Sequence, residues 1–156
     1  KEMSVKKKGK VLAGMIRRIE VYRKGKLIDS DEKFIDLVVS AGLNALCGQV
    51  FDVSGSRPAV FNYVAIGVGI DAPVAGDTAL KSESMRVQGT YGKDAGVGEC
   101  SMDGTFNITE TLALTECGLL NAASVGTLYC RDTYTVKNVE DGDTVKVYYT
   151  PKFQVP

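Results

Sequence analysis

The sequence predicts a mainly β chain: an antiparallel β-sandwich, jelly-roll-like, or a barrel, with one short helix near residues 38–50 and an N-terminal hairpin or arm. Three observations carry this. β-Branched and aromatic residues alternate with polar ones along most of the chain, glycine-rich turns separate these stretches at regular spacing, and helical periodicity occurs once. At 156 residues the chain suits one domain, able to remove about two thirds of its unfolded surface from water. The expected organisation is a basic arm over residues 1–10 and a single β-rich domain over 11–156.

In chain order, "MIRRIEVYRKGKLIDSDEKFIDLVV" reads as a hairpin, with Ile16, Ile19 and Val21 on one arm, "RKGK" at the turn, and Leu27, Phe34 and Leu37 beyond it. The period then changes. Val39, Leu43, Leu46, Cys47 and Val50 recur at helical spacing, and Ser40 is the expected N-cap. "SGSRP" is a loop, and a strand is expected over Val60 to Ile66. Further strands are expected over Thr78 to Thr90, Gly98 to Ile108, Leu112 to Leu120, Gly126 to Thr135 and Thr144 to Phe153. Between the last two, Asp141-Gly142 has the chemistry of a hairpin turn, which accounts for the acidic cluster "EDGD" without a catalytic or calcium site.

Composition narrows the chemistry. The chain has no histidine, so Ser-His-Asp and Cys-His catalysis cannot be built within it and the usual base near neutral pH is missing. Cys47, Cys100, Cys117 and Cys130 form no C-x-x-C pair, which removes the common zinc patterns. Their scatter fits core cysteines in a reducing cytoplasm, the alternative being a Cys117 to Cys130 bridge across neighbouring strands. No metal and no cofactor are expected. No apolar run approaches the ~20 residues that span a bilayer, and the basic start lacks the apolar core of a signal peptide, so neither membrane insertion nor secretion is expected. "NIT" at Asn107 is then a chance match to a glycosylation acceptor.

The net charge is zero, but Lys1 to Lys26 carries ten basic residues against Glu2 and Glu20, leaving nine basic and seventeen acidic residues beyond. A basic head precedes an acidic body. Such a head is a solvated terminus or an arm for an acidic surface. No aromatic residue precedes Tyr22 to stack on bases, and no nucleic acid is expected.

"YVAIGVGIDAP" raises a sharper question, because Gly67, Gly69 and Ala72 satisfy the G-x-G-x-x-G/A dinucleotide fingerprint after a strand. Such a loop needs a helix to start at its glycines. Pro73 followed closely by Gly76 argues against one, so the glycines are read as a structural turn, through positive φ or close backbone approach.

The same segment carries a resemblance. "VVSAGLNAL", "FNYVAIGVGIDAPVAGDTAL" and "TECGLLNAASVGTLYCRDTYTVKNVEDGDTVKVYYT" resemble, in that order, a group of small structural proteins of tailed bacteriophages. In that group an "AGLNAL"-type helix precedes an "AIGxGxxAPxxxDTAL" turn, a strand pair, and "EAGLFNA"-, "GTLLARDTF"- and "DGDTLTVTYT"-like strands. The similarity runs from about Val38 to Thr150; "AIGVG", "ECGLLNA" and "GTLY" are more distantly similar to tail-collar fibre domains. The chain departs from the group in its long basic hairpin and in Cys117 and Cys130, where alanine is expected.

The resemblance implies a virion component, present in the host cytoplasm during assembly. It would be a capsid decoration (cement) protein on the major capsid protein shell or, alternatively, a tail fibre, collar or baseplate-associated module, in each case a trimer or dimer and not an enzyme. By charge, Lys6, Lys7, Lys8, Lys10, Arg17, Arg18, Arg23 and Lys24 are the expected capsid contacts. A receptor-binding module would instead use a face formed by Tyr63, Tyr91, Tyr134, Tyr148 and Tyr149.

Overall fold

The computed structural model describes residues 12–35, 37–93 and 96–154. In chain order its elements are β1 (Leu12–Arg23), β2 (Lys26–Ile35), α1 (Ser40–Phe51), β3 (Tyr63–Gly67), β4 (Glu83–Gln88), β5 (Thr90–Gly92), β6 (Ser101–Asn107), β7 (Leu112–Leu120), β8 (Leu128–Val139) and β9 (Thr144–Gln154). They form a sandwich of two antiparallel sheets, ordered β2-β1-β9-β6-β5 and β4-β3-β7-β8. No strand ladder joins the two among the described residues, so the architecture is a sandwich and not a closed barrel.

Alternation explains the layering. On β9, Val145, Val147 and Tyr149 are buried while Thr144, Lys146 and Tyr148 face outward. β1 follows the same period with Met15, Ile19 and Val21 inward. Across the sandwich these meet Val64, Ile66, Leu114, Cys117 and Leu119 of the second sheet. Each buried aliphatic side chain contributes roughly 1.5–3 kcal/mol of transfer free energy. The second sheet is covered on its outer face as well, where Ala65, Leu120 and Leu128 pack with Val39 and Leu80. That outer cover is α1 together with the segment 68–82.

The N-terminal hairpin turns through Lys24 and Gly25, with φ of 49° and 75°, as a two-residue turn matched to strand twist requires. It is not a projecting arm. β1 lies between β2 and β9 within the first sheet, paired from Leu12↔Gln154 to Tyr22↔Thr144.

Several expectations are corrected. The strand expected over Thr78 to Thr90 begins only at Glu83 and breaks at Gly89 before β5, because residues 77–82 are engaged in covering the second sheet. The strand expected from Val60 begins at Tyr63, and β8 runs four residues past Thr135. The turn at Asp141-Gly142, with Gly142 at φ 87°, joins β8 of one sheet to β9 of the other. It is a crossover between layers, not the end of a ladder. Its anchor is Asp143, whose carboxylate accepts from Arg23 Nε and Nη2 at 2.9 and 2.8 Å and from the Glu140 N–H at 2.9 Å. Arg23 and that N–H outweigh the opposing effect of burial and hold the Asp143 carboxyl below its ordinary pKa.

The helix is where expected, but its cap is not. Val39, not Ser40, is the N-cap and no side chain caps it. Instead, the N–H groups of Val39 and Ser40 donate to the carbonyls of Tyr129 and Ala75 at 3.0 and 2.9 Å. Among the helical residues Gly42 and Ala45 are the buried ones, because a Cβ at Gly42 would stand 2.6 Å from the Tyr129 carbonyl oxygen. The small face docks on β8. The stripe of Leu43, Cys47 and Val50 is left exposed, with Leu46 part-buried.

Candidate interface

Two features stand out from the sandwich: a cluster of buried charges beneath the segment 68–82, and an apolar groove at one end of the molecule.

The cluster answers the question of the glycines. Glu116 sits on β7 opposite Gly67, on the outer face of the second sheet, with no exposed surface. Its carboxylate accepts from the N–H groups of Gly69 (3.0 Å), Ser82 (2.6 Å) and Lys81 (3.0 Å), and from Nε of Arg131 at 2.6 Å. Arg131, also fully buried, donates onward to Asp77 Oδ2 at 3.2 Å and to the Asp71 carbonyl at 2.7 Å. Asp77 in turn accepts the Val74 N–H at 3.0 Å and pairs with Lys81 Nζ at 2.8 Å. Burial opposes charge on Glu116, but Arg131 and the Ser82 and Lys81 N–H groups outweigh it and hold the carboxyl below its ordinary range. The Asp77 carboxyl is also lowered, Lys81, the Val74 N–H and Arg131 overcoming its desolvation.

The loop that spells a phosphate cradle therefore cradles an anion of its own chain. Gly67 and Gly69 are not among the positive-φ glycines. Close approach is what they provide, since a Cβ at Gly67 would clash with the Ser82 carbonyl oxygen and one at Gly69 with the Glu116 carboxylate. Pro73 lies part-buried within the segment, in a stretch with no helix. The segment folds as a strap across the sheet.

A second set of charges closes the space between the sheets. Arg17 has no exposed surface; it donates through Nε and Nη2 to Asp132 at 3.1 and 2.9 Å and through Nη1 to Asp31 at 2.5 Å. Lys137 of β8 reaches Asp29 of β2 at 2.7 Å. Arg17 is thus removed from the expected contact surface, because it shares the inward parity of Met15 and Ile19. The other basic residues expected there do not converge. Arg18 points outward over the Tyr148 ring, 4.3 Å from its centroid, Arg23 clamps Asp143, and Lys24 is exposed at the hairpin tip. Lys6, Lys7, Lys8 and Lys10, with the rest of the expected 1–10 arm, lie outside the described residues.

The tyrosines do not form one face either. Tyr149 is buried in the core and Tyr148 points to the opposite side of the same strand. Tyr134 donates to the Glu116 carbonyl at 3.1 Å, Tyr63 packs with the outer cluster of the second sheet, and Tyr91 lines the groove. Cys117 and Cys130 are free; burial pushes the Cys117 thiol up to about 12.

The groove has a volume of about 480 Å³. Leu46 of α1, Val60 and Phe61 of the following loop, Tyr91 of β5, and Pro151 and Phe153 of β9 line it. Its wall continues over the helix through Cys47, Val50 and Phe51. Phe51 is 77% exposed, Val60 65% and Tyr91 63%. In the wall Tyr129 tilts against Phe61, ring centroids 4.9 Å apart, and its buried hydroxyl has no hydrogen-bond partner. Sequence reasoning missed this site because it used the apolar stripe of the helix only to locate the helix. The signal for which face is buried was the pair Gly42 and Ala45 on the other stripe, small enough to let a backbone approach.

Among the described residues no group of three or more Cys, Asp or Glu side chains is placed to share a metal ion, and no helix is long and apolar enough to cross a membrane. Set against protein-family models, curated proteins and solved structures, the chain matches none of them.

Proposed function

We propose that this chain is a non-enzymatic structural component of a tailed-phage virion, a capsid decoration protein whose sandwich sits on the shell of the major capsid protein. Its basic N-terminal stretch would pair with acidic patches on that shell. The reading draws on the ordered resemblance from Val38 to Thr150. One observation carries it: the buried carboxylates and guanidinium groups hold the fold's own segments together, while the groove offers apolar side chains for adhesion and little chemistry for turnover. A decoration protein acts in many copies, so a modest contact per copy reinforces a whole shell.

The alternative is a tail fibre, collar or baseplate-associated module. Arg18 stacked on Tyr148 on the open face of the first sheet favours it, as the kind of feature a receptor-binding face would use.

Co-sedimentation of the purified protein with undecorated capsids of the source phage, beside isolated tails, tests the two. Stoichiometric binding to capsids, weakened by salt and by deletion of residues 1–10, is expected. Binding to tails alone would move the protein to the tail, and binding to neither would end the virion reading.

A further inference from the structure

β2 is the end strand of the five-stranded sheet, and among the described residues no strand pairs with its other edge. An open edge presents a row of N–H and C=O groups that can pair with another strand, and edge strands are ordinarily kept short, interrupted by proline, kinked by a bulge or guarded by charge. β2 is ten residues long and holds no proline. Its one irregularity lies near the hairpin turn. There the ladder with β1 shifts register between Val21 and Tyr22, Ile28 being the extra residue, which leaves 29–35 as a regular stretch. Two large apolar side chains bracket the middle of the strand, Ile28 at 48% and Phe34 at 56% exposure.

The charges on this edge are already paired within the chain. Asp29, Asp31 and Lys33 lie opposite Val21, Ile19 and Arg17 of β1, so they share the inward face of the sheet. There Asp29 meets Lys137, Asp31 meets Arg17, and Lys33 and Arg17 share Asp132. Three cations balance three carboxylates. A strand laid along this edge would therefore meet no net charge from the set, and covering the edge would leave no ion without its partner. On the outer face Glu32 stands beside Arg18 in register, which offsets its charge as well.

The edge is also complementary to itself. Outward from Asp31 in both directions the strand reads polar, charged, apolar, as Ser30, Asp29, Ile28 on one side and Glu32, Lys33, Phe34 on the other, and the two charged residues are of opposite sign. We propose that two copies of this chain pair antiparallel along β2 about a two-fold axis at Asp31, joining their five-stranded sheets into one continuous sheet. In that register Ile28 of each copy faces Phe34 of the other, and Asp29 faces Lys33. Apolar and opposite-charge pairs directly across a ladder stabilise it, and like charges destabilise it. An axis perpendicular to the sheet keeps inward residues opposite inward residues, so it must pass through a residue. Moved to Ser30, it would set Asp29 against Asp31 twice. Moved to Glu32, it would set that residue against its own copy and Phe34 against Ser30. Asp31 also meets its own copy, but each is held by Arg17. A two-fold contact uses the same patch on both subunits and closes on itself, so the edge is spent in the dimer. The proposal gives the expected homo-oligomer its contact and rests on no virion reading, so it is measured without capsids.

Sedimentation velocity on the purified chain, from about 1 to 500 µM, tests it over a range suited to a small contact. A monomer–dimer equilibrium is expected. Asp29→Lys and Lys33→Glu each set like charges against one another in both cross-copy pairs, and each should raise the dissociation constant about tenfold or more. An equimolar mixture of the two variants restores both attractive pairs and should dimerise nearly as well as the wild type. A folding defect cannot produce that rescue. The wild type gives a second readout: amide exchange along residues 28–34 should slow as protein concentration rises. A wild-type chain that stays monomeric throughout, folded variants that dimerise as the wild type does or whose mixture does not recover the dimer, or exchange that ignores concentration overturns the proposal. Should either variant fail to fold, the wild-type exchange decides.

Discussion

Two regions reverse the usual distribution of residues, in opposite senses. Beneath the strap, Glu116 and Arg131 carry charge at zero exposure; at the groove, Phe51 and Val60 carry apolar surface at 77% and 65% exposure. The charged region is closed upon itself, since three backbone N–H groups, Arg131, Asp77 and Lys81 complete it. The apolar region is open. A buried pair adds little net stability over an apolar substitute, yet removing one partner leaves an uncompensated charge. An exposed phenyl ring adds almost nothing to the stability of its own domain. One region therefore fixes where a segment of the chain lies, and the other leaves apolar surface uncovered.

Breaking the closed region should have the largest effect. Glu116→Ala leaves Nε of Arg131 and three N–H groups without their acceptor, and we expect a loss of about 3–5 kcal/mol in urea unfolding. Amide exchange at Gly69, Lys81 and Ser82 should accelerate; a loss under about 1 kcal/mol would mean that the strap does not depend on the carboxylate. Between the sheets, Asp132→Ala should cost about 3 kcal/mol by leaving Arg17 with Asp31 alone, and adding Arg17→Met should recover much of it. A double variant no more stable than Asp132→Ala would refute the pairing.

Acid should release the closed region and spare the open one. The Glu116, Asp77 and Asp143 carboxyls lie below their ordinary values, so the folded chain binds protons less readily than the unfolded one. Their stabilisation is complete above the unfolded carboxyl pKa of about 4 and is lost as pH falls through the lower folded values. The melting temperature should drop over that acid range, and Glu116→Gln should flatten the slope. An identical slope in the variant would remove Glu116 from the titration. A smaller effect is expected at the helix contact: Gly42→Ala should cost about 1–3 kcal/mol by pressing on Tyr129, although alanine is the better helix former by about 1 kcal/mol. Gly76→Ala, which meets nothing within 4 Å, should stay within about 0.5 kcal/mol. Smallest of all, Phe51→Asp should leave the unfolding free energy of the isolated chain within about 0.5 kcal/mol, marking the phenyl ring as surface.

The sequence makes the strands legible wherever one face is wet. The hairpin and last strand are found nearly at the expected bounds, because a half-buried strand writes its period of two into the chain; Leu112 to Leu120 is found at its expected bounds although residues 116–120 are buried on both faces. Arg17 belongs to the same pattern: it alternates in phase with Met15, Ile19 and Val21, and that phase was better evidence for its position than its charge was. The strap was not legible as a strap, because what orders residues 68–82 is a glutamate 34 to 47 positions from the N–H groups that it accepts. Nor was the groove, which arises where a helix turns its small face inward. Pairing of strands within or between sheets leaves no local mark either, which is why a turn with hairpin chemistry could be a crossover.

The position of β9 has a consequence for how the fold is reached. It lies between β1 and β6 in the five-stranded sheet, yet it follows every other strand among the described residues. Before Thr144 is available that sheet can exist only as two separate ribbons, β2 with β1 and β5 with β6, which no ladder connects. Closing it requires contact between segments more than a hundred residues apart, and folding dominated by such contacts is slow. A chain halted short of β9 during synthesis would hold two half-sheets with open edges, so the final strand acts as the keystone that decides when the molecule becomes one body.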